Sequence, residues 1–178
     1  LDAKPSEITS RDARQRSLLH AAVESRSFKP VPLLIERGAA LNAQHAAGRA
    51  PLHLAVAGRA ATKEQIRQRT DVVRELCRAG ADRTLADAEG IAALHLAALH
   101  GRSELLPLLL NSGDSCDPKD RRGRTPLHYA ALHGHVSVLE ALIAAGANVA
   151  NCDDAGETPL HLAARRFQAD AATTLLER

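Results

Sequence analysis

The sequence predicts an all-α fold, a helical stack of about five repeated units. Three observations carry that prediction. A four-residue segment recurs as Ser17-Leu18-Leu19-His20, Ala50-Pro51-Leu52-His53, Ala92-Ala93-Leu94-His95, Thr125-Pro126-Leu127-His128 and Thr158-Pro159-Leu160-His161, with histidine steps of 33, 42, 33 and 33 residues. Gly38, Gly113 and Gly146 each fall 18 residues after their histidine, and Gly80 falls 27 after His53. Aromatic residues make up only 2% of a chain that is 45% hydrophobic, so its core is built of Ala, Leu, Val and Ile, side chains that suit helices packed closely together.

Each element of the unit has a mechanical reason. Thr125 and Thr158 suit a helix N-cap, and Pro126 and Pro159 suit the first helical position, where no N–H partner is needed. Leu127 and Leu160 then face the stack, while the pairs Ala130-Ala131 and Ala163-Ala164 keep the first helix thin. A second helix follows, with Val136, Val138, Leu139, Leu142 and Ile143 at apolar spacing. The glycine after it supplies the left-handed residue that ends a helix. A polar stretch such as 117–123 turns the chain into the next unit.

Departures from this pattern carry their own expectations. Ala50 and Ala92 lack the capping hydroxyl, which weakens those helix starts by roughly 0.5–2 kcal/mol each. Pro32 and Pro107 fall inside second helices and predict kinking or shortening. The second unit carries nine extra residues, at about 59–68, where Thr62-Lys63-Glu64-Gln65 has the form of a capping box and Ile66, Val73, Leu76 and Cys77 continue at helical spacing. A second helix lengthened at its start, 62–79, is expected there.

The T-P-L-H-x-A signature, intact at Thr125 to Ala130 and Thr158 to Ala163, and the 33-residue period resemble the ankyrin-repeat family from about Glu7 to Arg178. The resemblance implies a solenoid of helix–turn–helix units with β-hairpin-like fingers, at 13–45, 46–87, 88–120, 121–153 and 154–178, with 1–12 as the tail of a preceding repeat or an extension. The start at Leu1, the absence of Met and a last unit that stops before its glycine are read as a fragment of a longer protein.

Composition narrows the function classes. A formal charge of +2 over 178 residues confines any basic surface to a local patch. Cys77, Cys116 and Cys152 are odd in number and lack CxxC spacing, which argues against a disulfide framework or a zinc site and for a reducing compartment, cytoplasmic or nuclear. No apolar run reaches the ~18–20 residues of a membrane span. No phosphate-binding glycine loop is present, and neither cofactor nor metal is expected. The resemblance gives the five repeated histidines a structural role, bridging backbone groups of neighbouring turns. His133 and His135 form an HxH without further ligands close in sequence, and pairing Cys152 with His161 as nucleophile and base has no support in their spacing.

The expected function is therefore non-catalytic: a monomeric module that binds a partner peptide or domain. Family members bind along a groove of finger residues and exposed first-helix positions. Here those positions are Arg14, Arg16, Glu24, Arg49, Glu89, Ile91, Leu99, His100, Arg121, Arg122, Arg124, Leu132, His133, Asp154, Glu157, Arg165 and Arg166. Leu99 and Leu132 recur within Ala-Leu-His-Gly and are candidate apolar anchors, the plainer reading being half-covered packing residues. The arginines at 121, 122, 124, 165 and 166, beside Lys119, suit acidic segments, the plainer reading being a solvated surface neutralised by Asp120, Asp153, Asp154 and Glu157. Nucleic-acid or other polyanion binding through the same arginines is the alternative, weakened by the low net charge and the scarcity of aromatics. A substrate-recruiting arm of an enzyme or adaptor is a third reading.

Overall fold

The computed structural model describes residues 10–25, 28–59, 62–111 and 113–178. Most of the expected leading segment 1–12, residues 1–9, lies outside the described residues, as do Ala60 and Ala61 of the insertion. The chain divides into two compact units, Leu1–Ala88 and Glu89–Arg178. The first contains α1 (Leu18–Glu24), α2 (Pro30–Glu36), α3 (Pro51–Ala57) and α4 (Lys63–Arg78). The second contains α5 (Ala93–Leu99), a 3₁₀ turn (Ser103–Leu105) running into α6 (Leu106–Leu109), then α7 (Pro126–His133), α8 (Val136–Ala144), α9 (Pro159–Arg165) and α10 (Ala169–Leu176). No strand forms among the described residues. The connecting fingers are turns, with an antiparallel bridge between Arg11 and Ser17.

The core follows from the small aliphatic composition. In the first unit Leu19, Val23, Leu52, Val73 and Leu76 are buried, and in the second Leu127, Leu139, Leu142 and Leu162 are. Each such side chain contributes roughly 1.5–3 kcal/mol on burial. Ala97, Ala98, Ala130, Ala131 and Ala163 are fully buried between them and leave room for neighbouring helices. Leu160, expected to face the stack, is only half-buried, and Ala164 is exposed.

The insertion forms helix from Lys63 to Arg78, and Thr62 caps it by accepting a hydrogen bond from Gln65 N at 3.2 Å. Arg69 ties this helix back, donating from Nε to Arg59 O at 3.2 Å and stacking over the Phe28 ring at 5.3 Å. Proline falls early in two other second helices, Pro32 at the third position of α2 and Pro107 at the second of α6. Pro30 opens α2, which runs for only 7 residues, and Pro107 sits in the first turn of α6, which is reduced to 4.

The alanine caps lack the hydroxyl but keep the backbone bond to histidine. The N–H groups of Ala50 and Ala92 still donate to Nδ1 of His53 and His95, at 3.2 and 3.1 Å, as Thr125 N does to His128 at 3.1 Å. What alanine lacks is the hydroxyl contact that Ser17, Thr125 and Thr158 make with the same ring nitrogen, at 2.8, 2.9 and 2.7 Å. The histidine holds the helix start, so the deficit is one hydrogen bond, about 0.5–1.5 kcal/mol.

Neighbouring fingers touch through backbone. Ala46 N donates to Arg14 O at 3.1 Å and Ala88 N to Ala47 O at 3.2 Å in the first unit; Arg121 N donates to Glu89 O at 3.0 Å and Asp154 N to Arg122 O at 2.9 Å in the second. This approach explains Gly48, whose φ is +74° and whose added Cβ would lie 2.5 Å from Ala88 N. Gly80, at φ +93°, has nothing within 4 Å of such a Cβ. Gly80→Ala is therefore expected to cost about 1 kcal/mol for backbone conformation alone. Gly48→Ala should cost roughly twice that or more, because the close finger contact must also open. Equal losses in denaturant unfolding would show that the contact is unimportant.

Candidate interaction surface

The finger geometry depends on an acidic register eight residues before the repeated histidines: Asp12, Asp87, Asp120 and Asp153, with His45 in the remaining slot. At Asp12, Asp120 and Asp153 one carboxylate oxygen closes the turn by accepting two backbone N–H groups. Asp12 Oδ1 takes Arg14 N and Arg16 N at 2.8 and 2.9 Å. Asp120 Oδ1 takes Arg122 N and Arg124 N at 2.8 and 2.9 Å, and Asp153 Oδ1 takes Ala155 N and Glu157 N at 2.9 and 3.0 Å. His45 substitutes a ring nitrogen, Nδ1 accepting from Ala47 N at 2.9 Å.

The second oxygen finds a cation or a hydroxyl. Arg49 Nε reaches Asp87 at 3.0 Å and Arg124 Nε reaches Asp153 at 3.1 Å, each arginine belonging to the preceding finger. Ile91 occupies the arginine position before Asp120, and Tyr129 supplies its hydroxyl to Asp120 Oδ2 at 2.6 Å instead. Arg16, whose next finger carries His45, binds its own Asp12 at 2.7 Å and Glu24 at 2.6 Å. Burial raises the Asp153 pKa, but hydrogen bonds from Glu157 N, Arg124 and Ala155 N outweigh it, so the carboxylate is held below its usual range. Burial first, and then the bond to Asp120, raises the Tyr129 phenol.

These contacts divide the expected arginine cluster. Arg124 is a finger-holding residue, half-buried against an Asp153 side chain that is only 2% exposed. Arg165 is exposed but held by the half-buried Glu157 at 2.8 Å, and Lys119 Nζ donates to Cys152 O at 3.3 Å. Arg121, Arg122 and Arg166 remain exposed, and their side chains form no ion pair among the described residues. Arg14, Glu24, Glu89 and Asp154 are also exposed; Arg49 is half-buried on Asp87.

The leucine pair is half-buried at both positions, as is Ile91, while His100 and His133 are exposed. The structure brings the two helix ends together: His135 Nε2 bonds Leu99 O at 3.1 Å, and the His133 and His135 rings stack with centroids 5.9 Å apart. The repeated histidines reach the following finger, with Nε2 of His20, His95 and His128 bonded to the carbonyl oxygens of Arg49, Arg124 and Glu157 at 2.9, 3.0 and 3.0 Å. Since Nδ1 accepts a backbone N–H, the proton resides on Nε2 and the ring is neutral.

A family model described as ankyrin repeats (3 copies) matches residues 19–122, 59–153 and 94–178. The chain belongs to the ankyrin-repeat family. No curated protein matches it. Ankyrin repeats are generally protein–protein interaction modules and typically non-catalytic. Within this ankyrin-repeat chain no helix among the described residues is long and apolar enough to cross a membrane. No group of three or more His, Cys, Asp or Glu among them is placed to hold a metal ion. Cys152 Sγ lies against Ala150 O at 3.7 Å, and His161 Nδ1 against the Thr158 hydroxyl at 2.7 Å.

Two features escaped the sequence reading. The aspartate register shares the histidine period, so the same alignment exposes it. Phe167 occupies the register of Gly101 and Gly134 and is 94% exposed.

Proposed function

We propose that this ankyrin-repeat chain is a non-catalytic module that binds a partner peptide or domain through its finger tips and first-helix ends. Five units with the boundaries given above, a monomeric state and a cytoplasmic or nuclear setting belong to the same reading. Leu99, Leu132 and Ile91 offer apolar contact; Arg121, Arg122, Arg165 and Arg166 select carboxylates, with His100, His133 and Glu157 at the edge. Arg124 contributes by holding its finger. The observation that carries the proposal is the division of the cations: Arg49 and Arg124 are consumed by buried aspartates, whereas Arg121 and Arg122 stand exposed and unpaired among the described residues on one finger tip. Preformed fingers reduce the ordering cost of binding.

The test is capture from lysate with and without nuclease treatment, comparing wild type with Arg121→Glu/Arg122→Glu. These exposed replacements leave the aspartate contacts intact, so the variant folds. A protein enriched by wild type and lost with the variant is expected. Capture that disappears with nuclease would favour the polyanion reading. The same proteins retained by both chains would move the binding face elsewhere, first to the 390 Å³ pocket between α2 and α4, lined in part by Phe28, Pro32, Gln68 and Val72.

A further inference from the structure

The insertion of the second unit builds a feature that the finger tips do not use. It lengthens α4 to 16 residues, whereas α2 beside it runs for 7. At 1.5 Å per residue the longer helix exceeds its neighbour by roughly 13 Å. Where the two lie together they leave a cavity of 390 Å³. That volume falls within the range of roughly 300–1,000 Å³ typical of ligand pockets.

The two walls differ in character. Phe28, Val31 and Pro32 line the α2 side. Val31 is buried, and the Phe28 ring is held by Arg69, whose guanidinium lies 5.3 Å from its centroid. The α4 side presents Gln68, Asp71, Val72 and Glu75, spaced so that they share one helix face. Val72 is buried and continues the apolar lining, while Gln68, inside the inserted stretch, and Asp71 are exposed.

The charge on this wall is of a different kind from that in the fingers. The Asp87 and Asp153 side chains are 3% and 2% exposed, and each is held by an arginine of the preceding finger. The Asp71 and Glu75 side chains are 52% and 46% exposed, and their partners Arg74 and Arg78 are i,i+3 neighbours on the same helix. Exposed pairs of this kind contribute little to stability, so a cation arriving from outside replaces them readily. Among the described residues that line the cavity, Lys29 is the cation, set against these two carboxylates.

We propose that the cavity between α2 and α4 is a second docking site, taking a basic amphipathic segment of a partner protein. A bulky apolar side chain of the segment enters against Phe28, Val31 and Val72, and a neighbouring lysine or arginine pairs with Asp71 and Glu75. An acidic segment would meet like charge there, so the two surfaces select occupants of opposite sign. The inference goes beyond the finger-tip reading and does not rest on it, because the two sites share no residue.

The experiment selects a random peptide display library on the full chain. Affinities of the selected peptides are then measured for wild type, Gln68→Trp, Asp71→Asn/Glu75→Gln and Arg121→Glu/Arg122→Glu. Gln68 is exposed and its amide bonds Glu64 on its own helix, so the tryptophan plugs the cavity without disturbing the core, and an unchanged Tm verifies this. Peptides that join a bulky apolar residue to lysine or arginine are expected. They should bind Gln68→Trp and Asp71→Asn/Glu75→Gln at least about tenfold more weakly, and Arg121→Glu/Arg122→Glu as tightly as wild type. Absence of such a class, or its undiminished binding to Gln68→Trp, overturns the site. Peptides lost only with Arg121→Glu/Arg122→Glu would leave the finger-tip reading standing while overturning this one. Self-association of wild type that disappears in Gln68→Trp would assign the cavity to a second copy and overturn the partner-segment proposal.

Discussion

Asp153→Ala lowers the unfolding free energy by about 3–5 kcal/mol, the expected cost of stranding a partner of a buried ion pair. The Asp153 side chain is 2% exposed and the Arg124 side chain 18%, so water replaces the lost carboxylate poorly. Two backbone donors, Ala155 N and Glu157 N, lose their acceptor at the same time. Asp153→Asn keeps an acceptor oxygen for the turn but removes the charge, and its loss should be about half as large. Arg124→Leu made together with Asp153→Ala should recover part of the single-variant loss, because no guanidinium is then left unpaired. Denaturant unfolding of wild type, Asp153→Ala, Arg124→Leu and the double variant measures the coupling. Strict additivity would mean that Arg124 and Asp153 do not act as a pair.

His128→Ala should cost about 3–4 kcal/mol, combining a buried cavity with unpaired polar groups. The ring joins three things: the N–H and hydroxyl of Thr125 at Nδ1, and Glu157 O of the following finger at Nε2. A pH dependence accompanies this role. Burial lowers the folded-state pKa of His128 below its usual 6.5, as it does for His20. Below pH 6.5 the unfolded chain therefore binds more protons than the folded one. The neutral ring's contribution is complete above that pH and is lost as pH falls toward the depressed folded value. Stability should decline on acidification from pH 6.5, and His128→Ala should show a shallower slope through this range. An unchanged slope would contradict a buried neutral ring at this position.

The residues differ in how openly they announce these roles. Repeat length, helix order and the long α4 follow from local chemistry, since caps, prolines and apolar spacing act within a few residues. Pro107 accordingly marks a second helix reduced to one turn. Asp120 and Asp153 share the histidine period, yet sequence alone presents them as neutralising neighbours of the arginines. Their partners depend on which finger lies beside which, and Ile91 in place of an arginine hands Asp120 to Tyr129. Arg124 and Arg122, two positions apart, consequently do different work. Phe167 is visible in sequence as a break in a glycine register, yet its exposure and left-handed backbone become evident only when the turn is built.

That division of labour between neighbouring arginines is tested most directly by measuring both Tm and affinity for a captured partner in Arg122→Gln and Arg124→Gln. Arg122→Gln should leave Tm unchanged and weaken the partner, while Arg124→Gln should lower Tm through the loss of its contact with Asp153. A partner that binds Arg122→Gln as tightly as wild type, with Tm lowered in that variant instead, would contradict the assignment of this finger tip as a binding surface.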